Sequence, residues 1–162
     1  MPEFVSPSKE GKGIYQSSSI DKSSVETLEV ERKKVQEILR SLLEDNPDVL
    51  GSALISNDGL VMASSLSESI DQDILSAIFT ALESIAQRAC RQMKFGAMDK
   101  LVLLAEKGGA IICPFKKEYL LVLIRGEAKL GIILMDVDQA IERLKKSISM
   151  SSSKDSDKSK SS

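Results

Sequence analysis

VLGSALISNDGLVMASSL, residues 49–66, is the stretch on which the fold turns. Asn57-Asp58-Gly59 lies between two apolar runs, Val49–Ser56 and Leu60–Leu66. Asp-Gly between such runs is a strong hairpin signal, because glycine takes a positive φ at little steric cost. Residues 49–66 are therefore expected to form two antiparallel strands.

Upstream, Val35, Ile38, Leu39, Leu42 and Leu43 fall at helical spacing, and Leu28 extends their stripe toward the N-terminus. Ser23 followed by Glu26 reads as a capping box for this first helix. Asn46-Pro47-Asp48 stops it, since proline lacks the donor and restricts the residue before it. Downstream, a second helix is expected from about Ser69 to Lys94. Its core stripe reads as Ile74, Ile78, Leu82, Ile85, Ala89 and Met93, widened by Leu75, Phe79 and Ala86. Gly96 is placed to end it with a left-handed residue. The polar side, Thr80, Glu83, Gln87, Arg91 and Lys94, is left to solvent or a partner. A row of small residues, Ala77, Ala81 and Ser84, continues to Arg88. Such a row fits either a helix with nothing beside it or a close contact with a second copy.

Three strands follow. Leu101–Glu106 is apolar on both alternations, so it needs cover on both faces. Lys107-Gly108-Gly109 turns into Ala110–Phe115, and Lys116-Lys117-Glu118 turns into Tyr119–Ile124. Pro114 cannot donate to a ladder and belongs at a strand end or an edge. From Leu130 on, Ile133, Leu134, Val137, Ile141, Leu144 and Ile148 keep helical spacing, which predicts a third helix. The expected fold is α+β in the order α-β-β-α-β-β-β-α. A five-stranded antiparallel sheet carries helix 2 on one face and helices 1 and 3 on the other, an α/β/α sandwich.

Composition narrows the function. The 162 residues suit one domain. A net charge of −2 gives no basic excess for nucleic acid or anionic lipid, and 4% aromatics are too few for base-stacking platforms. The chain has no histidine, which removes Ser-His-Asp and Cys-His catalysis and any zinc site that needs an imidazole. No phosphate-cradling G-x-x-x-x-G-K-[ST] occurs. Asp71, Asp73, Asp136 and Asp138 read as acids at helix starts, favoured by the helix dipole. Cys90 and Cys113 read as small packed residues in a reducing compartment. No catalytic residue, metal site or cofactor is expected. The N-terminus lacks the apolar core of a signal peptide, and no apolar run is long enough to span a membrane. The expected location is cytoplasmic. The serine-rich ends, 1–22 and 149–162, are expected to be disordered tails around a domain of residues 23–148.

Read jointly, GSALISNDGLVMASSL, ESIDQDILSAIFTALESIAQRA, DKLVLLAEKGGAIICPF and AKLGIILMDVDQAIERLKK resemble the Roadblock/dynein light chain family, in its small single-domain prokaryotic form. Gly51, Asp58-Gly59 and Leu130-Gly131 fall where that family has its glycines. The long N-terminal extension and the serine-rich C-terminus depart from it. The resemblance implies a dimer in which the third strands pair and the second helices lie side by side. It also implies a non-enzymatic regulator or scaffold of a small Ras-like GTPase. Carried onto this sequence, the dimer interface comprises Ala77, Ala81, Ser84, Arg88, Leu101 and Leu103. The partner-binding surface comprises Glu83, Gln87, Arg91 and Lys94. A homodimer is expected, with a heterodimer of two family members as its variant. The competing reading is a dynein-light-chain-type or assembly scaffold without effect on GTP turnover. A third, an enzyme or small-ligand sensor of similar shape, requires a deep polar pocket.

Overall fold

The computed structural model describes residues 22–159, with side chains through residue 148. The eight elements are α1 (Lys22–Asp45), β1 (Val49–Ser56), β2 (Val61–Leu66), α2 (Gln72–Gln92), β3 (Leu101–Leu104), β4 (Gly108–Phe115), β5 (Glu118–Arg125) and α3 (Leu130–Ser159). The expected order of helices and strands holds throughout. The expected tails, apart from Lys22 and the backbone of 149–159, lie outside the described residues.

All pairings are antiparallel, and the sheet runs β2-β1-β5-β4-β3. The first hairpin closes where Asp-Gly placed it. Gly59 has φ +85°, and its N–H donates to the Ser56 carbonyl at 2.9 Å. Pro114 sits beyond the β3 ladder, which stops at the Leu101–Ile112 pair, so its missing donor breaks no bond to β3.

Alternation along the strands divides the core. Leu54, Ile111, Cys113, Leu120, Val122 and Ile124 point to one face, where α1 supplies Val35, Ile38, Leu39 and Leu42 and α3 supplies Ile133, Val137, Ala140 and Leu144. Ala53, Ile55, Ala110, Ile112, Tyr119 and Leu121 point to the other, where α2 supplies Leu75 and Phe79. Helix 2 thus covers one face and helices 1 and 3 the other. Among the described residues, the one buried serine, Ser52 on the α1 side, donates to the Leu39 carbonyl at 2.9 Å, so its burial leaves no donor unmatched.

Three local expectations are corrected. Ser23 lies within α1 rather than ahead of it, and its carbonyl accepts from Thr27 Oγ1 at 2.8 Å. Asp136 and Asp138 lie in the body of α3, not at its start. They hold other elements there: Asp136 Oδ2 accepts from Asn46 Nδ2 at 2.9 Å, and Asp138 pairs with Lys100 at 2.9 Å. Only Asp71 and Asp73 serve a helix start. Asp71 caps α2 by accepting from the Asp73 and Ile74 backbone N–H groups.

The third correction concerns how α2 ends. Gly96 is left-handed as expected, at φ +87°, but the left-handed residue that closes the helix is Lys94, at φ +58°. Phe95 N–H donates to the Cys90 carbonyl at 2.9 Å and Lys94 N–H to the Arg91 carbonyl at 3.3 Å. This pair of bonds is a Schellman motif, which closes the helix before Gly96 is reached.

Candidate partner-binding surface

Helix α2 has two apolar stripes, and the sequence reading gave both to the core, centred on the one that proves to face outward. Leu75 and Phe79 are buried on the sheet, with Leu82, Ala86 and Cys90 packed beside them. Ile74, Ile78 and Ile85 are instead 59%, 53% and 67% exposed, and Ala89 and Met93 are exposed as well. Ile74 and Leu75 are neighbours in sequence but about 100° apart on the helix, so the two stripes lie side by side. The sheet takes the one that carries Phe79, whose ring packs edge-on against Tyr119 at 5.2 Å between centroids.

The outward stripe coincides with the small-residue row. Ala77, Ala81, Ser84 and Arg88 are all exposed, and they flank Ile74, Ile78 and Ile85 on one side of the helix. This surface runs on to strand β3, an edge of the sheet. Leu103 is 48% exposed, and Leu101, half-buried, packs into the α2 side of the core. Between the two elements lies an apolar hollow of about 360 Å³, lined among others by Leu75, Ile78, Phe79, Leu82, Leu103 and Leu121.

The two sheet edges differ. At β2, Gln36 Nε2 of α1 donates to the Ser64 carbonyl and Gln72 Nε2 of α2 donates to Ser64 Oγ, so side chains from both faces close over that strand. Among the described residues, no side chain bonds to the backbone of β3. A bare edge with apolar side chains is open to pairing with another strand.

The polar side of α2 divides in two. Tyr119 Oη donates to Glu83 Oε1 at 2.7 Å, and Gln87 Nε2 donates to Tyr119 Oη at 3.5 Å. Glu83 and Gln87 are therefore half-buried and tied to β5, whereas Arg91 and Lys94 are exposed. Burial first, and the bond to Glu83 second, hold the Tyr119 phenol above its usual pKa. Earlier in the helix, Ser76 Oγ donates to the Gly59 carbonyl, fixing α2 to the first hairpin.

Little here suits chemistry. Burial pushes the Cys113 thiol up to about 11, which keeps it protonated and unreactive. Among the described residues, no group of His, Cys, Asp and Glu is placed to hold a metal ion. The polar notch between α1 and α3, lined by Ser41, Asp45, Asp136 and Arg143, has a volume of about 60 Å³, room for a water or two rather than a substrate. No described helix is long and apolar enough to cross a membrane.

The Roadblock/LC7 domain matches residues 35–125, from the first buried residue of α1 to the end of β5. The chain belongs to the Roadblock/LC7 domain family. An uncharacterized protein of Methanocaldococcus jannaschii is 30% identical over 108 residues, covering 65% of this chain and 95% of that protein. The Roadblock/LC7 domain from Streptomyces avermitilis has the same fold, with a TM-score of 0.64 at 17% identity over 70% of this chain and 96% of that one. Myxococcus xanthus MglB gives 0.68 at 14% identity, over 74% and 90%. The Roadblock/LC7 match ends before α3, and the structural likenesses extend over more of the chain than the matched segment does.

Proposed function

We propose that this Roadblock/LC7 protein is a non-enzymatic homodimer that binds a small Ras-like GTPase and modulates its nucleotide cycle. The observation that carries the reading is the apolar outward stripe of α2, continuous with the bare edge of β3. Three exposed isoleucines on one helix side are costly in water, and a second copy placed against them removes that cost. Ala77, Ala81 and Ser84 let the two α2 helices approach closely, and Leu103 meets the partner strand. Family membership supports the rest, since Roadblock/LC7 proteins are generally regulators and scaffolds rather than enzymes.

In this reading the paired α2 helices present the GTPase surface, with Arg91 on its flank. Glu83 and Gln87 contribute by holding α2 to β5, not by reaching the partner. The test uses the full chain with each small Ras-like GTPase of the same genome, loaded with GDP or with a non-hydrolysable GTP analogue. Binding to one nucleotide state with changed hydrolysis or exchange is the expected result. Binding with unchanged turnover gives the assembly-scaffold reading instead. Binding to none of them in either state contradicts the proposal.

A further inference from the structure

The hollow of about 360 Å³ is lined by Ile78 and Leu82 of α2, by Leu103 of β3, and by Ala110, Ile112 and Leu121 of the sheet. Lys107 is the one charged residue along it. Such a lining gains by taking an apolar side chain and offers little to a polar ligand. Two isoleucines of the outward stripe stand differently toward it. Ile78 lines the hollow, whereas Ile85 does not and is 67% exposed. Seven residues separate them, close to two full turns, so both lie on one side of α2. Their midpoint falls between Ala81 and Leu82. In a two-fold contact each residue meets its counterpart reciprocally. A two-fold pairing of antiparallel α2 helices centred near Ala81 therefore sets Ile85 of each copy opposite Ile78 of the other, at the mouth of its hollow.

Charge gives the same centre independently. Asp73 stands four residues before Ala77, and Arg88 stands four after Ser84, so an acid and a base bracket the small-residue row. Both are exposed, and neither makes an ion pair among the described residues. Their midpoint falls between Thr80 and Ala81. Antiparallel helices centred there bring Asp73 of each copy toward Arg88 of the other, twice by symmetry. The helix dipole favours an acid early in a helix and a base late, but it does not require both to flank the small residues.

We propose that the hollow is the receptor for Ile85 of a second copy, reciprocally in the two chains, and that this lock decides which chains pair. The inference rests on the α2–β3 dimer of the proposed function and adds its centre, its orientation and its specificity. A second copy fits better than a small apolar ligand, because the hollow and Ile85 share one exposed surface at self-complementary spacing and the charges agree on the centre. A chain with a small residue in place of Ile85, or with bulk on the rim of the hollow, pairs poorly with this one. The lock thus favours the homodimer over a mixed dimer of two family members.

The test is sedimentation equilibrium on the full chain with no GTPase present. Ile85→Ala, at an exposed position, should keep its helical circular dichroism and weaken self-association at least about a hundredfold, because symmetry removes the burial twice. Ala105→Phe, at an exposed position on the rim, fills the hollow and should weaken it likewise. An equimolar mixture of the two variants should form a mixed dimer more tightly than either variant pairs with itself, since the filled hollow then meets the shortened side chain. Arg88→Glu should weaken pairing, and adding Asp73→Arg to it should restore part of the loss. A dimeric wild type whose affinity Ile85→Ala leaves unchanged, or a mixture no tighter than its separate variants, would overturn the inference and leave the dimer itself standing. Unchanged pairing of both variants, with an anilinonaphthalene dye bound by the wild type and not by Ala105→Phe, would give the hollow to a small apolar ligand and overturn it equally. A wild type of single mass would overturn both the inference and the dimer.

Discussion

The Tyr119 hydroxyl donates to Glu83 Oε1 at 2.7 Å, joining β5 to α2 across 36 positions of sequence. That bond ties Glu83 to the sheet beside the packed Phe79 stripe, and the isoleucine stripe and Arg91 lie on the outside.

Tyr119→Phe keeps the ring against Phe79 and removes only the hydroxyl. The expected loss is about 1 kcal/mol in urea unfolding, the net value of one hydrogen bond between partly buried groups. The pH dependence has a definite sign. The folded-state pKa of Tyr119 is raised, by burial and then by Glu83. Its contribution is complete below the ordinary tyrosine range and is lost as pH rises through the raised value. The wild type should therefore lose stability with rising pH in that alkaline window, and the variant should lose less.

Gly59 is required twice over. Its φ is +85°, and a Cβ there would lie 2.6 Å from Thr80 Oγ1. Gly59→Ala should destabilise by about 2 kcal/mol, combining left-handed strain with the displaced contact. Adding Thr80→Ala should recover part of that loss, because it relieves the contact and leaves the strain. Thermal melts of the two variants separate the contributions.

Glu118 has a buried Oε2 with no hydrogen-bond partner, and burial raises its pKa against the opposing field of Lys116. A raised carboxyl means that the folded state holds its proton more tightly than the unfolded chain does. The relative stability this gives is present at acid pH and is lost as pH rises through the folded value. Glu118→Gln should accordingly raise the urea midpoint at pH 7 and leave it nearly unchanged at pH 4.

Arg91 is the exposed base beside the proposed GTPase surface. Arg91→Glu should lower affinity for that GTPase about tenfold, roughly 1.4 kcal/mol, with an unchanged melting temperature. Titration of the labelled GTPase measures the first and calorimetry the second.

The element order was legible because each element carries its own local signal. Asp58-Gly59 marks the first turn, Pro47 stops α1, and the stripe from Leu130 to Leu144 is long enough to settle as helix. The face of α2 was not legible. Ile74–Ile78–Ile85 and Leu75–Phe79–Leu82 are both apolar at helical spacing, and only the sheet decides between them. Periodicity finds the outward stripe because it is as apolar as a core, which is itself the mark of a surface awaiting cover. The ties from Tyr119 to Glu83 and from Lys100 to Asp138 join distant parts of the chain, and nothing local announces them. Lys94 escaped notice because glycine is the usual left-handed helix terminator and Gly96 stood two residues away.

The account stands on the claim that the outward stripe of α2 and the edge of β3 are where two copies meet. Light scattering at micromolar concentration measures this most directly, on the wild type and on Ala81→Arg. The wild type should have about twice the chain mass of 17.7 kDa. Ala81→Arg, which places bulk and charge in the close contact, should have the single mass with unchanged helical circular dichroism. A wild type of single mass, or an Ala81→Arg variant that keeps the doubled mass, would contradict the claim.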